Sequence, residues 1–351
     1  MPMDRVKRLG GSVLGAIFVA GLGATAARAD SLSIMSFGGA YQAAQRQSMF
    51  EEYTAKTGVK VIEQEYGGEI AKIKAMVDSG NTTLDVIDVD APTALQGCDD
   101  GLFETIDWSK VGDRANWLPG TATDCAVGTI VYATVVAYDP AHVKGTPTKM
   151  ADIFDTTAFP GKRGLWKSPY GNMEFALIAD GVPVDQVYKV LGTPEGVDRA
   201  FKKLDTIKKN IVWWEAGAQA PQLLASGEVV MTTAWNGRIF NANKEGKNFK
   251  IVWDHEMLDS DLWAIPKGAK NPQASLDFIK FTVSPEILAG MPKYIPYGPV
   301  NKLANPHIAP EIAENLPTTP ANMTGSFTLD VNFWADHADE IRKRFTTWLA
   351  Q

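Results

Sequence analysis

Residues 32–89 read LSIMSFGGAYQAAQRQSMFEEYTAKTGVKVIEQEYGGEIAKIKAMVDSGNTTLDVIDV, and hydrophobic spacing divides this stretch into alternating strands and helices. Apolar residues follow strand spacing over 32–36, 59–64 and 84–89, and helical spacing over 41–56 and 69–78. Glycines stand where turns are needed, after the first strand and at the end of the first helix. This alternation predicts an α/β fold with a largely parallel sheet.

The remainder of the chain continues the pattern, with strand-like runs over 129–138, 228–233 and 249–253 and helical runs over 173–179, 197–208, 272–282 and 333–349. A length of 351 residues exceeds one ordinary core and suggests two domains of roughly 150 residues each. Because no repeat, low-complexity tract or linker marks a boundary, we expect the chain to cross between the domains more than once.

The N-terminus has the pattern of a secretory signal peptide over residues 1–29. A basic segment with Arg5, Lys7 and Arg8 precedes an apolar stretch, and Ala27-Arg28-Ala29 supplies the small-x-small cleavage pattern. The apolar stretch is shorter than the roughly 20 residues that span a bilayer. We therefore predict cleavage before Asp30 and a soluble protein in the periplasm.

Cleavage makes the chain more acidic than the net charge of −7 for the full sequence. The leader holds four Lys or Arg residues and one acid, which leaves 30 basic and 40 acidic residues and a charge near −10. An acidic exported protein without a basic run is a poor candidate for binding nucleic acid or anionic lipid.

Cys98 and Cys125 are the two cysteines of the sequence. In an oxidising compartment an even pair indicates one disulfide, with two buried free thiols as the alternative. The four histidines are scattered without zinc-binding spacing, and no GxSxG, P-loop or GxGxxG motif occurs. The sequence therefore predicts no catalytic residue, no metal and no cofactor.

The acidic segment over 254–261 has two interpretations, a metal-binding site and a solvated loop. It contains Asp254, His255, Glu256, Asp259 and Asp261, which could coordinate a hard cation. Because EF-hand spacing and a glycine pivot are both missing, a solvated acidic loop is the other interpretation.

Tryptophan is enriched, with 10 residues, and several lie at predicted strand ends or turns: Trp166, Trp213, Trp214, Trp235 and Trp263. Core packing would account for most of them. Aromatic rings beside carboxylates can also form a box for an organic cation, because ring faces attract ammonium groups. Strand ends are where ligands bind in open α/β sheets.

Several short stretches, taken in order, are typical of one family: Ser36–Tyr41, Leu84–Ile87, Gly101–Phe103, Phe159–Gly164, Ser226–Val229, Trp235–Gly237, Asp261–Pro266 and Tyr297–Asn301. The chain resembles the extracytoplasmic solute-binding proteins of ABC importers, of the spermidine/putrescine-binding type. The resemblance extends over essentially all of the mature chain. No single stretch identifies the family alone, but the ordered set together with a signal peptide does.

This resemblance implies an α/β fold of two lobes, each with a mainly parallel sheet flanked by helices, joined by crossover hinge strands. The implied lobes are 30–137 plus 262–305 and 138–261 plus 306–351. A small amine-bearing solute would be gripped between them by hinge closure and passed to an inner-membrane ABC permease. We expect a monomer.

The resemblance also implies ligand contacts. Trp235 would stack on the ligand, Asp261 would hold an ammonium group, and Asp90 would make a polar contact after the third strand. The full set of expected ligand-binding residues is Phe37, Tyr41, Asp90, Tyr170, Trp235, Arg238, Asp261 and Tyr297.

Two departures bear on the ligand. Polyamine binders carry an acidic pair where this chain has 167–172, around Tyr170, and Glu174 is the one acid nearby. Arg238 would repel a polycation and attract a carboxylate, unless it points outward and pairs with surface acids. The main hypothesis is a polyamine of the putrescine/spermidine class. The alternatives are a zwitterionic ω-amino acid such as 4-aminobutyrate, or a secreted enzyme on the same fold.

Overall fold

A computed structural model describes residues 30–351. The predicted cleavage site and residues 1–29 lie outside the described residues. Ten strands form one sheet: β1 Ser31–Ser36, β2 Lys60–Glu65, β3 Val86–Asp90, β4 Ala126–Tyr138, β5 Arg163–Trp166, β6 Ile211–Trp214, β7 Met231–Trp235, β8 Lys250–Ala264, β9 Gly298–Pro299 and β10 Phe327–Thr328.

Helices flank the strands, and none among residues 30–351 is both long and apolar enough to cross a membrane. The α-helices are α1 Gly39–Gln45, α2 Glu51–Thr57, α3 Ile70–Asp78, α4 Ala91–Asp99, α5 Trp108–Val111, α6 Asn172–Ala179, α7 Val187–Leu191, α8 Pro194–Asp205, α9 Gln219–Ala225, α10 Asn236–Lys244, α11 Pro272–Thr282, α12 Pro285–Leu288, α13 Pro310–Ala313 and α14 Val331–Leu349. A π-helical turn over Arg46–Phe50 joins α1 to α2, so the helix predicted over 41–56 has an internal irregularity.

Two groups of parallel strands are joined by an antiparallel pair. The strand order is β2-β1-β3-β8-β4-β7-β5-β6. Strand β1 is parallel to β2 and β3, and β5 is parallel to β6 and β7. The long strands β4 and β8 run antiparallel between these groups and hydrogen-bond to each other. This is the predicted architecture of two α/β lobes joined by crossover strands.

Strand β4 shows why the crossover is stable. All of its 13 residues are buried, and its run of apolar and β-branched residues is typical of a strand covered on both faces. Two of the three predicted lobe boundaries fall within these strands, between 137 and 138 and between 261 and 262, and the third lies between 305 and 306. The boundaries themselves remain a prediction.

The segment 254–261 is not a loop, contrary to the second interpretation. It lies within the 15-residue strand β8, which also contains residues 250–253 of the shorter strand predicted over 249–253. Residues 257–261 pair with β4, and the His255 amide donates to the Thr324 carbonyl, so acidic residues that appear loop-like in sequence are held by backbone hydrogen bonds. Asp254 Oδ2 accepts a hydrogen bond from the Met150 amide at 2.9 Å, while Asp261 lies near the other end of the strand.

Cys98 and Cys125 form a disulfide whose Cα atoms lie 5.9 Å apart. It joins the C-terminal end of α4 to the residue before β4. The bond therefore connects a helix that follows β3 to the first crossover strand.

Candidate functional site

A small cavity of about 240 Å³ lies where the loop after β1 and the first turns of α1 and α10 meet strands β4, β7 and β8. Its lining contains six of the expected ligand-binding residues together with one residue that sequence reasoning missed, Tyr132. The lining residues are Phe37, Tyr41, Tyr132, Trp235, Arg238, Asp261 and Tyr297.

Aromatic rings form most of the cavity wall. The Trp235 ring lies 6.3 Å from Phe37 and 6.1 Å from Tyr132, in edge-to-face contacts. Tyr297 contacts Tyr41 at 5.5 Å and Tyr132 at 5.7 Å between ring centroids. Such rings exclude water and present negative faces that favour a cationic group.

A second layer of tryptophans holds Trp235 in place. Trp166 and Trp214 lie 5.7 and 5.5 Å from it and stack on each other at 5.9 Å. Trp263, by contrast, packs in the core against Phe50 and Phe278. Some tryptophans at strand ends therefore build the site and others build the core.

Arg238 lies in the first turn of α10 and is 3% exposed. Its Nη1 donates a hydrogen bond to the Gly38 carbonyl at 3.0 Å, and its Nη2 donates to the Phe37 carbonyl at 3.2 Å. Among residues 30–351 its Nε has no hydrogen-bond partner, and it forms no ion pair. The interpretation that Arg238 points outward and pairs with surface acids is therefore wrong.

Asp261 is the carboxylate of the same cavity and is 4% exposed. Within the described part of the chain, its Oδ1 has no hydrogen-bond partner. Burial raises the pKa of Asp261 well above its usual range, and the neighbouring carboxylates of Asp88 and Asp259 raise it further. An ammonium group entering the cavity would stabilise the ionised form.

Two further acids lie behind Asp261. Asp88 accepts hydrogen bonds from Ser36 Oγ at 2.9 Å and Gln45 Nε2 at 2.6 Å, and burial raises its pKa to about 7. Asp259 Oδ2 accepts a hydrogen bond from the Tyr132 hydroxyl at 3.1 Å. In their ionised forms these two acids interact with Asp261 and would add to its attraction for a cation.

Tyr132 escaped sequence reasoning because it lies within an apolar run that has the pattern of a core strand. Its role depends on the register of β4 and β8, which places Tyr132 opposite Asp259. Sequence alone does not give this pairing between residues 127 positions apart.

Asp90 and Tyr170 do not line this cavity. Both line a neighbouring, larger cavity of about 1410 Å³. Asp90 Oδ1 accepts a hydrogen bond from the Thr93 amide at 2.8 Å and so caps α4. The Tyr170 hydroxyl accepts a hydrogen bond from Arg342, and its ring meets Trp334 edge-on at 4.4 Å.

The acids of β8 do not converge on one point. Among residues 30–351, no group of three or more histidine, cysteine or acidic side chains is placed to hold a metal ion. The candidate site is therefore the aromatic cavity with one arginine and one aspartate.

Comparison with known proteins gives the family. Residues 48–320 match the family model described as bacterial extracellular solute-binding protein. The gamma-aminobutyric acid-binding protein of Pseudomonas aeruginosa is 46% identical over 340 residues, covering 97% of this chain and 96% of the relative. The spermidine/putrescine-binding periplasmic protein of Salmonella typhimurium is 25% identical over 295 residues, covering 79% and 80%.

Solved structures agree in fold. The Atu4243 GABA receptor has a TM-score of 0.80 and 37% identity, covering 92% of this chain and 98% of that one. AgtB from A. tumefaciens R10, solved with agropinic acid, has a TM-score of 0.84 and 34% identity, covering 92% of this chain and 99% of AgtB. The chain therefore belongs to the bacterial extracellular solute-binding proteins, and it is the solute-binding component of an ABC-type importer.

Proposed function

We propose that this binding protein captures a small zwitterionic ω-amino acid of the 4-aminobutyrate class and delivers it to a membrane permease. One observation carries the proposal: Arg238 and Asp261 line the same small cavity, both are buried, and no ion pair joins them. Buried charges without a counter-charge are unfavourable, so each is available to a ligand group of opposite sign.

The ligand's two ends would meet these two groups. Its carboxylate would accept a hydrogen bond from Arg238 Nε, which has no partner among the described residues. Its ammonium would lie beside Asp261 Oδ1, which is also without one. The methylene chain between them would pack on the rings of Trp235 and Tyr297.

The polyamine hypothesis is less well supported than this alternative. A second ammonium in place of the carboxylate would meet the guanidinium of Arg238 in a desolvated cavity. The 46% identical relative is described as binding gamma-aminobutyric acid, whereas the relative described as binding spermidine and putrescine is 25% identical. The secreted-enzyme alternative gains no support, because these relatives are described as binding proteins.

Cavity size also favours a small ligand. Its volume of about 240 Å³ is much smaller than the volume of about 1410 Å³ of the neighbouring cavity that Asp90 and Tyr170 line. Agropinic acid, bound by a structural neighbour, therefore serves as a comparison ligand in the test.

A thermal-shift screen tests the proposal with 4-aminobutyrate, putrescine, spermidine, butyrate and agropinic acid. A ligand that binds the folded state stabilises it by about 2.7 kcal/mol at a hundredfold excess over Kd. We expect the largest shift with 4-aminobutyrate and smaller shifts with compounds that lack one of its charged ends. A larger shift with putrescine or agropinic acid, or none with 4-aminobutyrate, would contradict the proposal.

A further inference from the structure

The guanidinium of Arg238 reaches across the cavity and is held by the loop that follows β1. It donates hydrogen bonds to the carbonyls of Phe37 and Gly38 in that loop. These two residues are 200 or more positions away in sequence. The position of the guanidinium is therefore set by the backbone of another segment and not by α10 alone.

Gly39 makes this approach possible. A Cβ atom built on Gly39 would lie 2.7 Å from Arg238 Nη1, closer than side-chain atoms approach one another. The next nearest atom, Ala218 Cβ, is 3.7 Å away, so the guanidinium is the group that a side chain here would displace. Because Nη1 is at the end of a flexible side chain, it can move without disrupting the core.

On its other side the guanidinium is confined as well. A Cβ atom on Gly217 would lie 3.1 Å from Arg238 Nε and 2.3 Å from Trp235 Cζ3. Arg238 is thus fixed between two glycines while its Nε remains without a partner among the described residues. Displacing the guanidinium would break the hydrogen bonds that it donates to the Phe37 and Gly38 carbonyls and would move Nε with it.

We infer that Gly39 is a specificity-determining residue, which positions Arg238 so that the site selects amino acids over diamines. This inference rests on the proposed function and names the feature that sets its selectivity. Gly39 acts through Arg238 and need not touch the ligand. A side chain at position 39 would move the cation away from the ligand carboxylate and reduce its repulsion of a second ammonium.

The test is the Gly39→Ala variant, titrated with 4-aminobutyrate and with putrescine and followed by calorimetry. We expect affinity for 4-aminobutyrate to fall roughly tenfold to hundredfold, the value of a hydrogen bond to a charged group. Affinity for putrescine should hold or rise. Gly80→Ala is the matched control, because Gly80 has φ +65° against +55° for Gly39 but no atom within 4 Å of the added Cβ.

A double-mutant cycle distinguishes a displaced Arg238 from a general disruption of the binding site. In an Arg238→Ala background, Gly39→Ala should cause no further loss of 4-aminobutyrate binding. Two results would overturn the inference while leaving the proposed function in place. One is an unchanged ratio of the affinities for 4-aminobutyrate and putrescine in Gly39→Ala, as equal losses for both ligands would give. The other is a loss of 4-aminobutyrate affinity that adds to the loss caused by Arg238→Ala. A wild-type protein that fails to bind 4-aminobutyrate would refute the proposed function, and the inference with it.

Discussion

Charged side chains enclosed by aromatic rings set the chemistry of the cavity at the scale of single residues. Burial lowers the pKa of Arg238 and raises that of Asp261, so both ionised forms are held at a cost without a ligand. Sites of this kind often trade stability for function. Removing the charge of Asp261 should therefore stabilise the ligand-free protein and weaken ligand binding.

Asp261→Asn should therefore lower affinity for 4-aminobutyrate by about 2–5 kcal/mol, because the ligand ammonium loses its buried partner. The same change should raise the melting temperature of the ligand-free protein, since it relieves repulsion with Asp88 and Asp259. Calorimetric titration and thermal unfolding measure the two effects. Asp254→Asn, on the same strand but outside the cavity lining, is the control that should leave binding unchanged.

Glu256 predicts a pH dependence of stability. It is 1% exposed, neither carboxylate oxygen has a hydrogen-bond partner among residues 30–351, and burial raises its pKa from 4.5 to about 8. Between these pH values the folded state keeps a proton that the unfolded state releases, so this group lowers stability as pH rises.

Glu256→Gln should reduce the loss of melting temperature between pH 5 and pH 8, because the amide stays neutral throughout. Thermal unfolding at both pH values measures this change in melting temperature. Glu228→Gln, at an exposed residue, is the control. A variant with the same pH dependence as the wild type would show that Glu256 does not contribute.

Much of the cavity could be predicted from family resemblance, and the rest depended on contacts between distant segments. Phe37, Trp235, Asp261 and Tyr297 lie on or beside strands, and Tyr41 lies in the first turn of α1, all within stretches whose motifs are visible in sequence. The direction of Arg238 could not be predicted, because it is fixed by carbonyls of the loop after β1.

At the scale of elements, the crossover strands β4 and β8 were the hardest to predict. Their register shifts between Thr134 and Val136, and the opposing segment of β8 contains His255 with φ 54°. Such an irregularity adds residues to one strand. It explains why the apolar pattern of β8 breaks after 253 although the strand continues to Ala264. By contrast, the helix predicted over 272–282 has those bounds in the structure, because its amphipathic pattern is local.

The disulfide between α4 and the start of β4 should stabilise the protein by about 2–4 kcal/mol, mainly by restricting the unfolded chain. Urea unfolding of a Cys98→Ser, Cys125→Ser double variant measures this difference. Mass analysis after alkylation provides the chemical check: protein exported without reductant should take up no alkylating reagent. Two alkylated cysteines in that sample would refute the bond.

At the scale of the whole molecule, the two lobes contribute to one cavity from separate parts of the sheet. Phe37 follows β1 in one parallel group, whereas Trp235 ends β7 in the other. We expect the two groups to open and close around a ligand that is enclosed between them. The length suggested two domains and the family resemblance implied two lobes, but their relative placement follows from pairing of β4 and β8.

Closure predicts a compaction that small-angle scattering can detect. The radius of gyration should decrease when 4-aminobutyrate saturates the wild-type protein, because the lobes approach around the ligand. Arg238→Ala at the same ligand concentration is the control and should compact less. An unchanged radius in a saturated wild-type sample would rule out closure on binding.

The central claim is that Arg238 and Asp261 hold the two ends of a zwitterion, and calorimetric titration of Arg238→Ala tests it most directly. With 4-aminobutyrate, the variant should lose about 2–5 kcal/mol of binding free energy, because the ligand carboxylate loses its buried partner. With putrescine, affinity should hold or improve, because a repulsive charge is removed from a desolvated cavity. Unchanged affinity for 4-aminobutyrate in a folded Arg238→Ala protein, or an equal loss for putrescine, would contradict the claim.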